Sequence, residues 1–136
     1  MFRQLALSGC LVVAATSASA QEPSPVHIAD LDDEMPMGGG RRIQAQVGIW
    51  VHDAEHRPAY NIIVRATWSG AVTGTTRCTT DQQGYCQMAS RQLDNEQGIM
   101  ITMMVKGFDN PGLELDTKLN HEPDGDSDGT KIRIQR

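Results

Sequence analysis

Apolar and polar residues alternate with a period of two along most of the chain from residue 43 onward. Ile43, Ala45, Val47, Ile49 and Val51 alternate with Gln44, Gln46, Gly48, Trp50 and His52. Successive side chains of a strand point to opposite faces, so this run reads as one half-buried strand. Ile62, Val64, Ala66 and Trp68 alternate with Ile63, Arg65 and Thr67 as a second strand, and Ser69-Gly70 and Gly74 mark the next turn. Residues 75–80 and 85–90 flank Asp81-Gln82-Gln83-Gly84. Aspartate first and glycine fourth suit a type I turn, so this stretch reads as a hairpin. Ile99, Ile101, Met103 and Val105 alternate again, with Thr102 and Lys106 outward. Leu113, Leu115 and Thr117 form a shorter candidate strand, and Thr130-Lys131-Ile132-Arg133-Ile134 closes the series. No stretch keeps apolar residues at helical spacing for three turns. About seven short strands over roughly 95 residues predict an all-β domain, a two-sheet sandwich.

The first 42 residues break the alternation. Arg3, an apolar stretch over residues 5–15 and the small residues Ser17-Ala18-Ser19-Ala20 have the layout of a bacterial secretory signal over 1–20, cleaved after Ala20. The apolar stretch falls short of the roughly 20 residues that span a bilayer. Leu7-Ser8-Gly9-Cys10 offers a minor alternative, lipoprotein anchoring through Cys10. Residues 21–42 hold three prolines, the acidic run Asp30-Leu31-Asp32-Asp33-Glu34 and Gly38-Gly39-Gly40, and read as an acidic Pro/Gly-rich loop ahead of a sandwich over 43–136. No later apolar segment is long enough for a transmembrane span. The expected location is secreted or periplasmic.

Cleavage leaves 116 residues, enough for one domain with a modest core. Without Arg3, 11 basic residues face 17 acidic ones, a net charge near −6. That surface repels phosphate backbones and carries no basic stripe, so nucleic acid is excluded as a partner. Cys78 and Cys86 are the cysteines left, and an even pair outside the cytoplasm reads as one disulfide. If they lie on one hairpin, a direct or diagonal bond needs equal-parity register, hence a bulged or odd-length turn.

Several motifs taken in order carry a resemblance. They are Val26-His27-Ile28-Ala29-Asp30-Leu31-Asp32, Val51-His52-Asp53 with Pro58, Ala66-Thr67-Trp68-Ser69-Gly70, Cys78-Thr79-Thr80-Asp81 with Gly84 and Cys86, and residues 120–130. Together they resemble an immunoglobulin-like or fibronectin-III-like accessory module of secreted bacterial proteins, often appended to the C-terminal side of exported proteases. The resemblance implies an immunoglobulin-like sandwich and a non-catalytic accessory role with no well-defined ligand. Glu122 departs from it, standing where an aspartate is common, and the residues ahead of the module hold no enzyme, so an appendage role does not transfer directly.

The sharpest candidate chemistry is Asp124-Gly125-Asp126-Ser127-Asp128-Gly129, with carboxylates at alternate positions and a glycine after the third. Such runs wrap oxygen ligands around calcium. An EF-hand is excluded, because its twelfth position would be Gln135 and helical flanks are missing. More donors are needed, and Asp30 and Asp32 supply them if both ends of the chain meet at one pole. The competing reading is a solvated acidic turn. His52 and His56 stand four apart, but Asp53-Ala54-Glu55 between them is not the zinc-protease helix, and the histidines read as exposed loop residues. Methionines with His27 would suit Cu(I), yet Met103 sits on the inward parity and reads as core. Trp68 reads as core, while Trp50, on the polar parity, is a candidate glycan contact. No nucleophile motif and no phosphate-cradling loop appears, so an enzyme is not expected. The expected function is a non-catalytic exported interaction or structural module with a protein partner and calcium as a candidate stabiliser. A carbohydrate- or metal-binding module is the alternative.

Overall fold

The alternating apolar positions are the buried positions of the strands. Val47, Ile49 and Val51, then Val64, Ala66 and Trp68, then Ile101, Met103 and Val105, then Ile132 and Ile134 are all buried, and together they form one core cluster. A computed structural model describes residues 25–34 and 40–136. The expected signal over 1–20, Cys10 included, lies outside the described residues.

Within them the chain is all-β. Its strands are β1 (Val26–Asp33), β2 (Arg42–Ile43), β3 (Gln46–Asp53), β4 (Ile63–Gly70), β5 (Gly74–Thr79), β6 (Tyr85–Ala89), β7 (Leu93–Asp94), β8 (Met100–Phe108) and β9 (Lys131–Gln135). One sheet has the order β1-β3-β6, a second β5-β4-β8-β9, and β2 pairs with β7 in a short ribbon. Every strand pairing is antiparallel. The core draws on both larger sheets, a sandwich-like arrangement of open sheets. Among the described residues no helix is long and apolar enough to cross a membrane.

The structure corrects several expectations. Residues 43–51 do not form one strand. Ile43 pairs with Leu93 in the ribbon, the Ala45 N–H donates to Ser90 Oγ at 3.0 Å, and β3 begins at Gln46. The alternation persists across the break because Ile43, Ala45 and Val47 all still face the core. Residues 113–117 form no strand either. Leu113 and Leu115 pack against the core, Leu115 bridges to Val26, and a short 3-10 turn covers Thr117–Leu119.

The expected hairpin around Gly84 is also absent, although its turn is present. The Gly84 N–H donates to Asp81 O at 3.0 Å, closing the type I geometry. Gly84 has φ +74°, and a side chain there would run into Val51 O. The flanking strands β5 and β6 belong to different sheets, however, so this turn is a crossover. Cys78 and Cys86 are joined across it with Cα atoms 5.8 Å apart, and the disulfide clips one sheet to the other. No shared register between the two strands is needed.

The change that matters most for function concerns residues 21–42. Val26–Asp33, within the stretch expected to be loop, is a strand of the first sheet. Its register against β3 shifts between Ile28 and Asp30, leaving Ala29 as an extra residue. The bulge lets Ile28 and Leu31 both enter the core at 0% exposure, although their spacing breaks the period of two. It also sets His27, Asp30 and Asp32 on the opposite, outward face.

Candidate metal centre

The site is built where β1 meets the late loop, residues 116–130. β1 is the outer strand of its sheet, and an outer strand leaves backbone groups without ladder partners. The loop supplies them. The Ile28 N–H donates to Asn120 Oδ1 at 2.9 Å, and the His121 N–H donates to Ile28 O at 2.9 Å. Asn120 Nδ2 donates in turn to Thr130 Oγ1 at 2.7 Å. Gly129, at φ +81°, lets the loop fold back here, since a Cβ would sit 3.0 Å from His121 O. Residues about 90 positions apart in sequence, such as Ile28 and Asn120, are thereby fixed side by side.

This docking sets carboxylates against one another. Oxygens of Asp30, Glu122 and Asp124 lie within 4.8 Å of each other, as do oxygens of Asp32, Asp124 and Asp126. Asp124 is common to both groups. Asp32 and Asp126 are each pushed up to about 6. Burial is the main cause for both, followed for Asp32 by the charges of Asp30 and Asp124, and for Asp126 by those of Asp124 and Asp32. Asp30 is raised as well, by burial and then by Asp124. Glu122 is lowered: burial works to raise it, but hydrogen bonds involving Ser127, Asp124 and the Gly125 N–H prevail. Asp32 Oδ1 is buried with no hydrogen-bond partner.

Of the candidate calcium ligands, then, Asp30, Asp32, Asp124 and Asp126 come together, and Glu122 joins them. Asp128 does not. Its Oδ1 accepts the Thr130 and Lys131 N–H groups at 3.0 and 2.6 Å, and Oδ2 lies 3.7 Å from Lys131 Nζ, so it caps the start of β9.

Beside the carboxylates stand all four histidines of the chain. The ring centroid of His27 is 6.0 Å from that of His52, 5.1 Å from that of His56 and 5.1 Å from that of His121, and His56 and His121 are 5.0 Å apart. Nitrogens of His27, His52 and His56 lie within 4.8 Å of one another. His27 and His52 face each other across the β1–β3 ladder. His56 comes from the turn after β3, in the left-handed region at φ 60°, with its N–H bonded to Asp53 O at 3.0 Å. His121 comes from the docked loop.

His27 is only 1% exposed, and neither ring nitrogen has a hydrogen-bond partner. A buried polar atom left in that state costs roughly 1–3 kcal/mol. Burial lowers the His27 pKa, and His121, His56 and His52 lower it further against the opposing charge of Asp53. Burial and His56 lower His52. Both imidazoles are therefore neutral at neutral pH, with a lone pair available.

The expectation of exposed loop histidines fails for His27, buried in β1, and for His52, half-buried in β3, and sequence reasoning missed the cluster. One signal could have found it. His27 stands three residues before Asp30, and His121 three before Asp124. A parallel docking that joins the two aspartates also brings the two histidines together, and the bridge from Val26 to Leu115 runs parallel.

Trp50, the candidate glycan contact, is half-buried on the outward face of β3. Its ring lies 4.8 Å from Tyr85 at an interplanar angle of 50°, so the two rings do not form one flat platform. Tyr85 OH donates to Glu34 Oε2 at 2.7 Å, and Gln87 Nε2 donates to the same oxygen at 2.6 Å. Burial and the Glu34 bond push Tyr85 up to about 12.

The chain matches no protein-family model, and it has no significant match among curated proteins or among solved structures.

Proposed function

We propose that the chain is an exported, non-catalytic module of immunoglobulin-like type, tied together by calcium at the pole where β1 meets the late loop. The observation that carries this reading is the convergence of Asp30 and Asp32 from β1 with Glu122, Asp124 and Asp126 from the loop, around the buried, unpartnered Asp32 Oδ1. Hard cations such as calcium take six to eight oxygens, and clustered carboxylates supply both oxygens and charge. An ion here would offset the burial cost and the mutual repulsion that together raise Asp32 and Asp126, and would lock the first long strand to the last loop. The module would then hold its surface in one shape for a protein partner.

Two further observations support the immunoglobulin-like and the exported parts of this reading. Taking the seven longer strands in order as A to G, one sheet is A-B-E and the other D-C-F-G. That is the constant-domain arrangement with its fourth strand moved to the opposite sheet. The disulfide between sheets suits an oxidising compartment and thus export. The glycan alternative has less support, since Trp50 leans on Tyr85 instead of lying flat beside a groove.

Calcium titration of the chelator-stripped chain tests the proposal. At a hundredfold excess over Kd a single site adds about 2.7 kcal/mol, which raises Tm by roughly 10 °C in a domain of this size. Asp32→Asn and Asp124→Asn should each abolish that rise. No binding heat and an unchanged Tm in millimolar calcium would end the calcium reading.

A further inference from the structure

We propose that His27, His52, His56 and His121 form a second metal centre, for a late first-row transition ion such as zinc or copper(II) bound through imidazole nitrogen. Four separate segments converge to make it: β1, β3, the turn after β3 and the docked loop. A core histidine kept for packing normally donates one ring N–H and accepts at the other nitrogen. His27 does neither, although it is 99% buried, and the groups around it are three more imidazoles.

Zinc sits about 2.0–2.1 Å from each imidazole nitrogen, so tetrahedral ligands stand somewhat over 3 Å apart. The nitrogens of His27, His52 and His56 all lie within 4.8 Å of one another, so an ion that draws them to that spacing has three imidazole ligands at hand. His121 packs on His27 and His56 and is the candidate for a fourth position. The backbone of His56 points the same way. A non-glycine residue in the left-handed region carries strain, and such strain concentrates at ligand clamps. Here it turns the ring back over His27.

The two centres differ in chemistry. Imidazole selects zinc, copper and nickel, whereas carboxylates take calcium or magnesium. Asp53, the nearest acid to the imidazoles in the turn, is engaged by Arg57 and by the turn's own N–H groups, so it supplies charge and not a ligand. Beyond the calcium reading, this makes the β1 edge a two-metal pole with a hard site and an imidazole site side by side.

The test is zinc titration of the chelator-stripped chain in saturating calcium, with copper(II) electron paramagnetic resonance to count coordinated nitrogens. The expected result is one equivalent of zinc bound despite the calcium, and three or four nitrogens on copper. His56→Ala and His121→Ala, both at exposed positions where folding is not at stake, should each weaken zinc binding at least tenfold. Asp124→Asn should leave it unchanged while removing the calcium response. The proposal is overturned if no zinc binds, if calcium displaces the zinc, if Asp124→Asn removes zinc binding while the two histidine variants keep it, or if copper shows fewer than three nitrogens. The histidine variants and the copper nitrogen count read the imidazole site whether or not calcium binds.

Discussion

Two buried polar side chains in this protein are treated in opposite ways. Thr80 is 2% exposed and fully used: its Oγ1 accepts the Ile62 N–H at 2.9 Å and donates to Ala59 O at 2.6 Å. Thr80→Val keeps the shape and strands a buried donor and acceptor. It should destabilise the fold by roughly 1–3 kcal/mol, read as a lower denaturant midpoint at constant m. His27 is equally buried with both nitrogens unused. Replacing it with leucine removes two unsatisfied atoms and keeps most of the bulk. The metal-free His27→Leu protein should therefore melt at or above the wild-type temperature, and zinc should no longer raise it. A large loss of metal-free stability would mean that the imidazole holds the fold by itself. The opposite expected signs at two buried positions follow from hydrogen-bond satisfaction, which composition and periodicity do not reveal.

Among the elements, β1 and the crossover around Gly84 do the most. Ala29 is the bulge that keeps Ile28 and Leu31 in the core and Asp30 and Asp32 outside it. The alternation rule misses β1 for this reason: a strand with an extra residue has no single period. The acidic run within it then reads as loop. The late loop was legible as a cluster of aspartates, but Asp128 shows where spacing misleads. Its alternate position suits a ligand, while its backbone neighbours at the start of β9 claim its carboxylate first. Gly129→Ala should push on His121 O and loosen the docking, costing about 1–2 kcal/mol and weakening calcium, both measurable by thermal melts with and without the ion. Because Cys78 and Cys86 tie β5 of one sheet to β6 of the other, the double serine variant loses a clip between layers. Chain entropy for so short a loop puts that loss at about 2–3 kcal/mol, to be read from chemical denaturation.

For the molecule as a whole, the two clusters pull stability in opposite directions with pH. Asp32 and Asp126 hold their protons to about 6 in the folded chain, against an ordinary value of 3.8. Between those values the folded form binds more protons than the unfolded one, so metal-free stability falls as pH rises through that window. His27 and His52 are lowered below 6.5, so the unfolded form binds more protons there and stability falls as pH drops below about 6.5. Calcium needs the ionised carboxylates. Its effect on Tm should be small near pH 4.5, grow up to about pH 7 and level off above it. Melts in a pH series with calcium and with chelator check this, and a calcium effect independent of pH would count against the carboxylate cluster.

The order of residues by itself determined the all-β class, the inward positions of β3, β4, β8 and β9, the Asp81–Gly84 turn and the pairing of two cysteines. All of these follow from local rules: period-two burial, turn chemistry and an even thiol count. Only the tertiary structure decided which strands share a sheet, that β1 is one of them, and that four histidines scattered from residue 27 to residue 121 face one another. The physical reason is that ladder pairing and edge capping join residues about 90 positions apart. The register of that contact is set by hydrogen bonds such as the one from Ile28 to Asn120, which leave no period in the chain.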